Sequence, residues 1–305
     1  MERIGNFCKI IKSNAPLSDY TTFGIGGNAW KIAHPKTEEE LIGLISYITE
    51  ENIPYIILGK GSNVLVSDKG FDGVVIVTTG LKEISYDGDK LFAQCGVTLP
   101  ALSKFSLFLS LSGLEFAVGI PATVGGAVYM NAGAYGSDIG SVLHSCRVLN
   151  NGKIVEYTRD ELGFEYRKSR ISTLGTVVSA KFNLVPKNAC EIEKKMRETV
   201  EKRRQTQPKA KSCGCIFKSH NNISAGYYID KAGLKGLKVG GAEVSRVHAG
   251  FIVNTGSATA QDVLELIKKI QSEVYAKFGV ELFTEINFLG DYDEDLRRLS
   301  HTYDI

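Results

Sequence analysis

Neither sign of charge prevails in this chain: 36 Lys and Arg stand against 34 Asp and Glu, a formal net charge of +2. That balance removes the electrostatic motive for a nucleic-acid or membrane-surface partner. No apolar run approaches the roughly 18 residues that span a bilayer. Met1-Glu2-Arg3-Ile4-Gly5-Asn6 holds no apolar leader segment, so a cytoplasmic protein is expected. Six cysteines in 305 residues are too sparse for a disulfide framework and fit reduced thiols. Proline is scarce as well, 7 residues against 32 glycines. What remains is ordinary globular composition, 43% hydrophobic and 23% charged, long enough for two or three domains.

Elements of both kinds interleave along the chain. Thr37 with Glu40 forms a capping box ahead of the apolar stripe Leu41, Leu44, Ile45 and Ile48, which predicts a helix. Tyr55–Leu58 and Val74–Val77 read as buried strands, and Thr98 opens a helix running towards Leu111. Asn151-Gly152 predicts a hairpin across Val142–Tyr157. Thr176–Val185 reads as a strand. A boundary falls near Pro186-Lys187-Asn188, followed by a charged helix over Glu191–Arg204. Phe251–Asn254 reads as a strand, Thr259 opens a helix lined by Val263, Leu264, Leu266, Ile267 and Ile270, and Val280–Leu289 reads as a closing strand. The polar tail from Asp291 is expected to pack on the surface or to fray. The rhythm is not strictly βαβ, so the class is α+β.

The glycines gather in two loops. Gly59-Lys60-Gly61-Ser62-Asn63 follows a strand, and its backbone N–H groups suit a pyrophosphate or make a tight turn between strands. Neither nucleotide-binding glycine fingerprint is present. The second loop runs from Gly119 through Pro121, Thr123, Gly125, Gly126, Asn131 and Gly133 to Gly136. A run this rich in small side chains is costly to order unless the backbone approaches something closely, and a flat, extended ligand would be such a partner. Cys213-x-Cys215 lacks a second Cys pair or a His at zinc spacing, so no metal site is expected. The basic run Lys194–Lys211 has no interleaved aromatics for base stacking, and reads as a solvated helix face or a cationic rim. The five histidines form no catalytic motif.

The second loop resembles Gly-Ile-Pro-Gly-Thr-Val-Gly-Gly of the UDP-N-acetylenolpyruvoylglucosamine reductase family. Thr21–Gly27, Gly59–Asn63, Tyr166-Arg167-Lys168-Ser169, Gly240–Ser245 with His248, Phe251–Asn254 and Glu285–Gly290 match in order across nearly the whole chain. No long insertion separates Arg170 from Thr176, as in the shorter, second type of the family. The resemblance implies a two-lobed FAD-binding unit of the vanillyl-alcohol-oxidase (PCMH) type over 1–80 and 81–188, and an α+β substrate-binding domain over 189–305. It implies an FAD-dependent oxidoreductase that holds its flavin non-covalently through Lys60, Gly61, Ser62, Asn63, Val64, Gly119, Thr123, Gly125, Gly126, Asn131 and Gly133. NADPH would be the hydride donor, and the UDP-sugar enolpyruvate the substrate, contacted by Tyr166, Lys218 and Ser219. A monomer is expected.

The same resemblance implies three catalytic positions. Arg167 matches the arginine that meets the enolate charge, a task suited to a bidentate fork. Glu285 matches the second position, which implies a carboxylate that orients a proton donor or shares in its delivery and that, with Arg167, stabilises the enolate. Glu285-Ile286-Asn287 stands, however, where the family reads Glu-Val-Arg. In Ser212-Cys213-Gly214-Cys215-Ile216-Phe217-Lys218-Ser219-His220, Cys215 takes the place of the family's proton-donating serine. A thiol of ordinary pKa, about 8.5, is mostly protonated at neutral pH and is a better acid than a hydroxyl. The changes at Asn287, Ser219 and His220 leave open a related flavoprotein with another substrate, and the serine-to-cysteine exchange a non-catalytic flavin binder.

Overall fold

The computed structural model describes residues 10–292 together with Leu296 and Leu299. It divides into two compact units, and the fold is α+β. The first comprises residues 10–12, Ile32–Lys60 and Gly73–Arg203; the second comprises Ser13–Lys31, Gly61–Asp72 and the described residues from Arg204 on.

In the first unit, Thr37 caps helix α1 (Glu38–Glu50), and Leu41, Leu44, Ile45 and Ile48 are buried as their spacing requires. The Thr37 hydroxyl accepts from the Glu40 N–H at 3.2 Å, but the Glu40 carboxylate reaches back to the N–H of Lys36 at 2.7 Å, one residue beyond the expected partner. Strand Tyr55–Leu58 pairs in parallel with Phe71–Val77. Thr98 caps helix α2 (Leu99–Phe108), and α3 (Val124–Tyr129) lies within the glycine-rich run.

A five-stranded antiparallel sheet follows the order Lys153–Thr158, Leu143–Asn150, Thr176–Phe182, Leu91–Gln94, Ile84–Tyr86. Its leading hairpin turns on Asn151 and Gly152, with φ of 46° and 76°, the pair of positive values that a two-residue turn demands. The short α4 (Ile171–Leu174) precedes the central strand, and the charged α5 (Ala189–Thr206) closes the unit.

The second unit has its own core around Phe23, Leu65, Ile216, Ile252 and the apolar face of α7 (Ala260–Phe278). Beside α6 (Ala225–Lys231), an antiparallel sheet joins Lys238–Val239, Ala242–Val244 and Ile252–Asn254. The expected closing strand over Val280–Leu289 is shorter than its sequence pattern: only Asn287–Leu289 forms one, in parallel with Val64–Val66. Upstream, Thr284 makes a single bridge to Phe217, so the extended backbone lacks a continuous ladder. Of the polar tail, Tyr292 donates its hydroxyl to the Leu65 carbonyl at 2.8 Å, and the remainder largely falls outside the described residues.

The N-terminus of α7 is capped three times over. Thr259 accepts from the Asp262 N–H, Asp262 accepts from the Thr259 N–H, and Asp68 takes the N–H groups of Ala260 and Gln261 at 2.8 and 3.0 Å. A Thr259→Ala variant should lose about 0.5–2 kcal/mol of stability. The check is a urea unfolding curve, with the midpoint lowered and the slope unchanged.

Candidate active site

In the first unit, the glycine run is held by backbone bonds that leave one side chain stranded. Leu99 donates to the Ala122 carbonyl, Val124 to Val97 and Gly125 to Cys95, which fixes the chain at the start of α3. Thr123, between them, is 1% exposed, and its hydroxyl has no hydrogen-bond partner among the described residues. A buried hydroxyl left unpaired costs about 1–3 kcal/mol, so native structures rarely keep one without a ligand or water to meet it.

A Cβ on Gly59 would fill the space against that hydroxyl, whereas a Cβ on the exposed Gly126 would meet only Thr123 Oγ1, at 3.7 Å. Lys60 follows Gly59 and is exposed. This cradle, open at its glycines and lined by an unsatisfied donor, fits a polar extended group such as FAD. Other glycines have internal reasons: Gly125 lies against the Cys95 side chain, Gly133 against Ser137 and Asp138, and Gly119 beneath the Arg203 side chain.

Asn131 is 4% exposed and sits at φ 42°, a left-handed conformation that asparagine tolerates. Its amide donates to the Glu165 carbonyl at 2.9 Å and towards Asp138 Oδ2 at 3.3 Å, while its oxygen accepts from the Gly140 N–H at 2.9 Å. Glu165 and Lys168 exchange backbone hydrogen bonds across Tyr166 and Arg167. Tyr166 is exposed, and the Arg167 guanidinium lies 5.1 Å from the centre of its ring. Arg167 has φ 57°, in a tight turn where glycine or asparagine is the usual choice. Ser169, buried, donates to the Tyr129 carbonyl at 2.8 Å.

The second unit holds the remaining predicted positions. Gly61, at φ 58°, leaves no room for a Cβ against the Tyr20 and Thr21 backbone. Ser62 follows it. Asn63 donates its amide to the Glu285 carbonyl at 3.1 Å and accepts the Asn287 N–H at 3.0 Å; Val64 pairs with Asn287 in register.

Cys215 bridges Phe251, and the next residue, Ile216, accepts the Glu285 N–H at 2.7 Å. Cys215 and Glu285 therefore stand on neighbouring extended segments. Lys218 follows on the same segment, half-buried, its N–H on the Phe283 carbonyl; Ser219 is exposed beyond it. Cys213 is 1% exposed, and burial, with Cys215 and Glu285 nearby, pushes its thiol far above the usual range. It is an inert thiol under neutral conditions.

His248 belongs to no catalytic motif, yet it neighbours Cys215. A Cβ on Gly250 would touch His248 Nδ1 at 3.2 Å and Cys215 Sγ at 3.7 Å. Burial lowers the His248 pKa, and its Nδ1 accepts the Gly250 N–H at 3.1 Å, so the ring is neutral. A lone histidine within a strand-to-turn segment offers no pattern that announces such a neighbour.

Residues 31–158 match the family model described as FAD binding domain, and 207–289 match UDP-N-acetylenolpyruvoylglucosamine reductase, C-terminal domain. The UDP-N-acetylenolpyruvoylglucosamine reductase of Caldanaerobacter subterraneus subsp. tengcongensis is 44% identical over 281 residues, 91% of this chain and 93% of that one. That of Lactiplantibacillus plantarum is 42% identical over 284 residues, covering 92% and 94%. The crystal structure of UDP-N-acetylenolpyruvylglucosamine reductase from Thermus caldophilus superposes with a TM-score of 0.81 at 39% identity, over 91% of this chain and 98% of that chain.

Proposed function

The chain belongs to the UDP-N-acetylenolpyruvoylglucosamine reductase family, and from that premise we propose that Arg167, Cys215 and Glu285 divide the catalytic work between them. The protein is an FAD-dependent oxidoreductase of peptidoglycan precursor synthesis, with NADPH as hydride donor and a flavin unit of the PCMH type. It reduces UDP-N-acetylglucosamine enolpyruvate to UDP-N-acetylmuramate. We assign the flavin lobes to 1–80 and 81–188 and the substrate domain to 189–305. We place the protein in the cytoplasm as a monomer that meets neither nucleic acid nor membrane; among the described residues no helix is long and apolar enough to cross a bilayer.

Bound flavin, once reduced by NADPH, would supply the hydride for the terminal carbon of the enol ether; the negative charge then falls on the neighbouring carbon and its carboxylate. Arg167 meets that charge with a fixed planar fork, and a preorganised donor of this kind acts without reorganising as charge develops. Cys215 transfers the thiol proton to the charged carbon; the new C–H bond forms as S–H breaks, and solvent restores the thiol. Glu285 orients the donor. Thr123, Gly59 and Gly126 would hold the flavin, with Lys60, Gly61, Ser62, Asn63, Val64, Gly119, Gly125 and Gly133 shaping the loops that receive it. Tyr166, Lys218 and Ser219 contact the sugar nucleotide.

The observation that carries the assignment is the Glu285 N–H on the Ile216 carbonyl, which fixes acid and carboxylate on adjacent segments. The test is an anaerobic absorbance titration of the purified protein. NADPH should abolish the flavin bands, and the enolpyruvyl sugar nucleotide should restore them. Loss without recovery would overturn the substrate or the proton donor, and a colourless protein that takes up no FAD would overturn the flavin site.

A further inference from the structure

Asn131 lies in the glycine-rich run, where a polar side chain would ordinarily be given to the cofactor. Its hydrogen bonds go elsewhere. Both amide hydrogens and the oxygen are engaged within the fold, by the Glu165 carbonyl, Asp138 and the Gly140 N–H. The bond to Glu165 reaches a residue 34 positions later. It lands on the first residue of the turn whose third residue is Arg167. Two residues earlier in the glycine run, the Tyr129 carbonyl accepts the Ser169 hydroxyl just past the end of that turn. The Tyr166-Arg167 turn is thus pinned at both ends to the residues that close α3. Its backbone needs this, because a non-glycine residue at φ 57° persists only where its surroundings over-determine it.

We propose that Asn131 is a positioning residue for Arg167: it clamps the Tyr166-Arg167 turn through the Glu165 carbonyl, with Ser169 as the second pin. The inference rests on the proposed role of Arg167. The side chain required at 131 must donate to a carbonyl, accept an N–H and tolerate a left-handed backbone, a combination that asparagine meets. Aspartate tolerates the same backbone and keeps the acceptor for Gly140. It loses the donor, and it sets a carboxylate against the Glu165 carbonyl and Asp138. The turn would then hold the Arg167 fork less firmly, and small displacements of a reacting group are costly in rate.

The test compares Asn131→Asp, Arg167→Ala and the double variant in both half-reactions, followed by rapid-mixing absorbance. Asn131→Asp should keep its FAD and its spectrum and lose flavin absorbance with NADPH within about twofold of the parent rate. Recovery with the enolpyruvyl sugar nucleotide should slow by about 10–100-fold. Placed on Arg167→Ala, the same change should slow recovery by less than about twofold, because the clamp has no fork left to hold.

Loss of FAD from Asn131→Asp would overturn the proposal in favour of a cofactor contact. An equal slowing of both half-reactions, or an undiminished effect on Arg167→Ala, would reduce the residue to a structural one and overturn it too. Unchanged recovery in Asn131→Asp beside slowed recovery in Arg167→Ala would sink the clamp and spare the arginine; unchanged recovery in Arg167→Ala would sink both. Should Asn131→Asp fail to fold, Ser169→Ala removes the other pin and must show the same selective slowing, and parent-like recovery there would overturn the proposal.

Discussion

A Cys215→Ala variant is expected to lose flavin absorbance with NADPH at the parent rate and to recover it with the enolpyruvyl substrate about 10²–10⁴-fold more slowly. The outcome depends on which thiol can give a proton. Cys213 lies two residues away but is buried and held far above the usual thiol range, so it cannot stand in. Cys215 is half-buried, on a segment fixed from one side by Phe251 and from the other by the Glu285 N–H at the next residue. His248 alongside is a weakened base, its pKa lowered by burial and its Nδ1 occupied by the Gly250 N–H, so it competes poorly for the thiol proton. Cys215→Ser retains an O–H in the same place and should recover a measurable part of the turnover lost in Cys215→Ala. Recovery in Cys215→Ala at the parent rate would refute the donor assignment.

Arg167→Ala should lower turnover about 10²–10³-fold, equivalent to about 2.7–4 kcal/mol of transition-state stabilisation. Arg167→Lys should restore only part of this, because a point charge does not reproduce a planar fork. The backbone at this position adds a second, opposite expectation. Arginine at φ 57° stores strain of about 1–3 kcal/mol, which glycine does not. Arg167→Gly should therefore be as inactive as Arg167→Ala yet thermally more stable than it. A thermal melt and a steady-state assay on the same two preparations decide the matter; equal melting temperatures would mean that the turn carries no strain.

The elements that the sequence disclosed were those whose information is local. Thr37 and Thr259 name their helices because a cap and its apolar stripe lie within two turns, and Asn151-Gly152 names its hairpin because both residues accept positive φ. Helix α3 was not legible: Val124–Tyr129 is too short for an apolar period and is diluted by Gly125 and Gly126. The strand expected over Val280–Leu289 failed for the converse reason, since alternating apolar residues specify an extended chain but not a ladder partner.

At the site, residue types came from resemblance, while their grouping required the fold. Asn63 meets the Glu285 carbonyl across 222 residues, and Asn131 meets Glu165 across 34. Neither pairing has a local signature. Thr123 shows the same limit: its hydroxyl is conspicuous only once burial leaves it without a partner among the described residues.

The parallel pairing of Val64–Val66 with Asn287–Leu289 also sets an order of events during synthesis. A ribosome adding about 5–20 residues per second needs about 10–45 s to cover the 222 residues between Asn63 and Glu285. Throughout that interval the early strand of the second unit has emerged without its mate, and Leu65, fully buried at the end, has no core to enter. The first unit, by contrast, closes with Arg203 and can mature while the second waits. The nascent chain therefore carries an unpaired apolar edge for most of its manufacture, the circumstance in which a holding chaperone has most to offer.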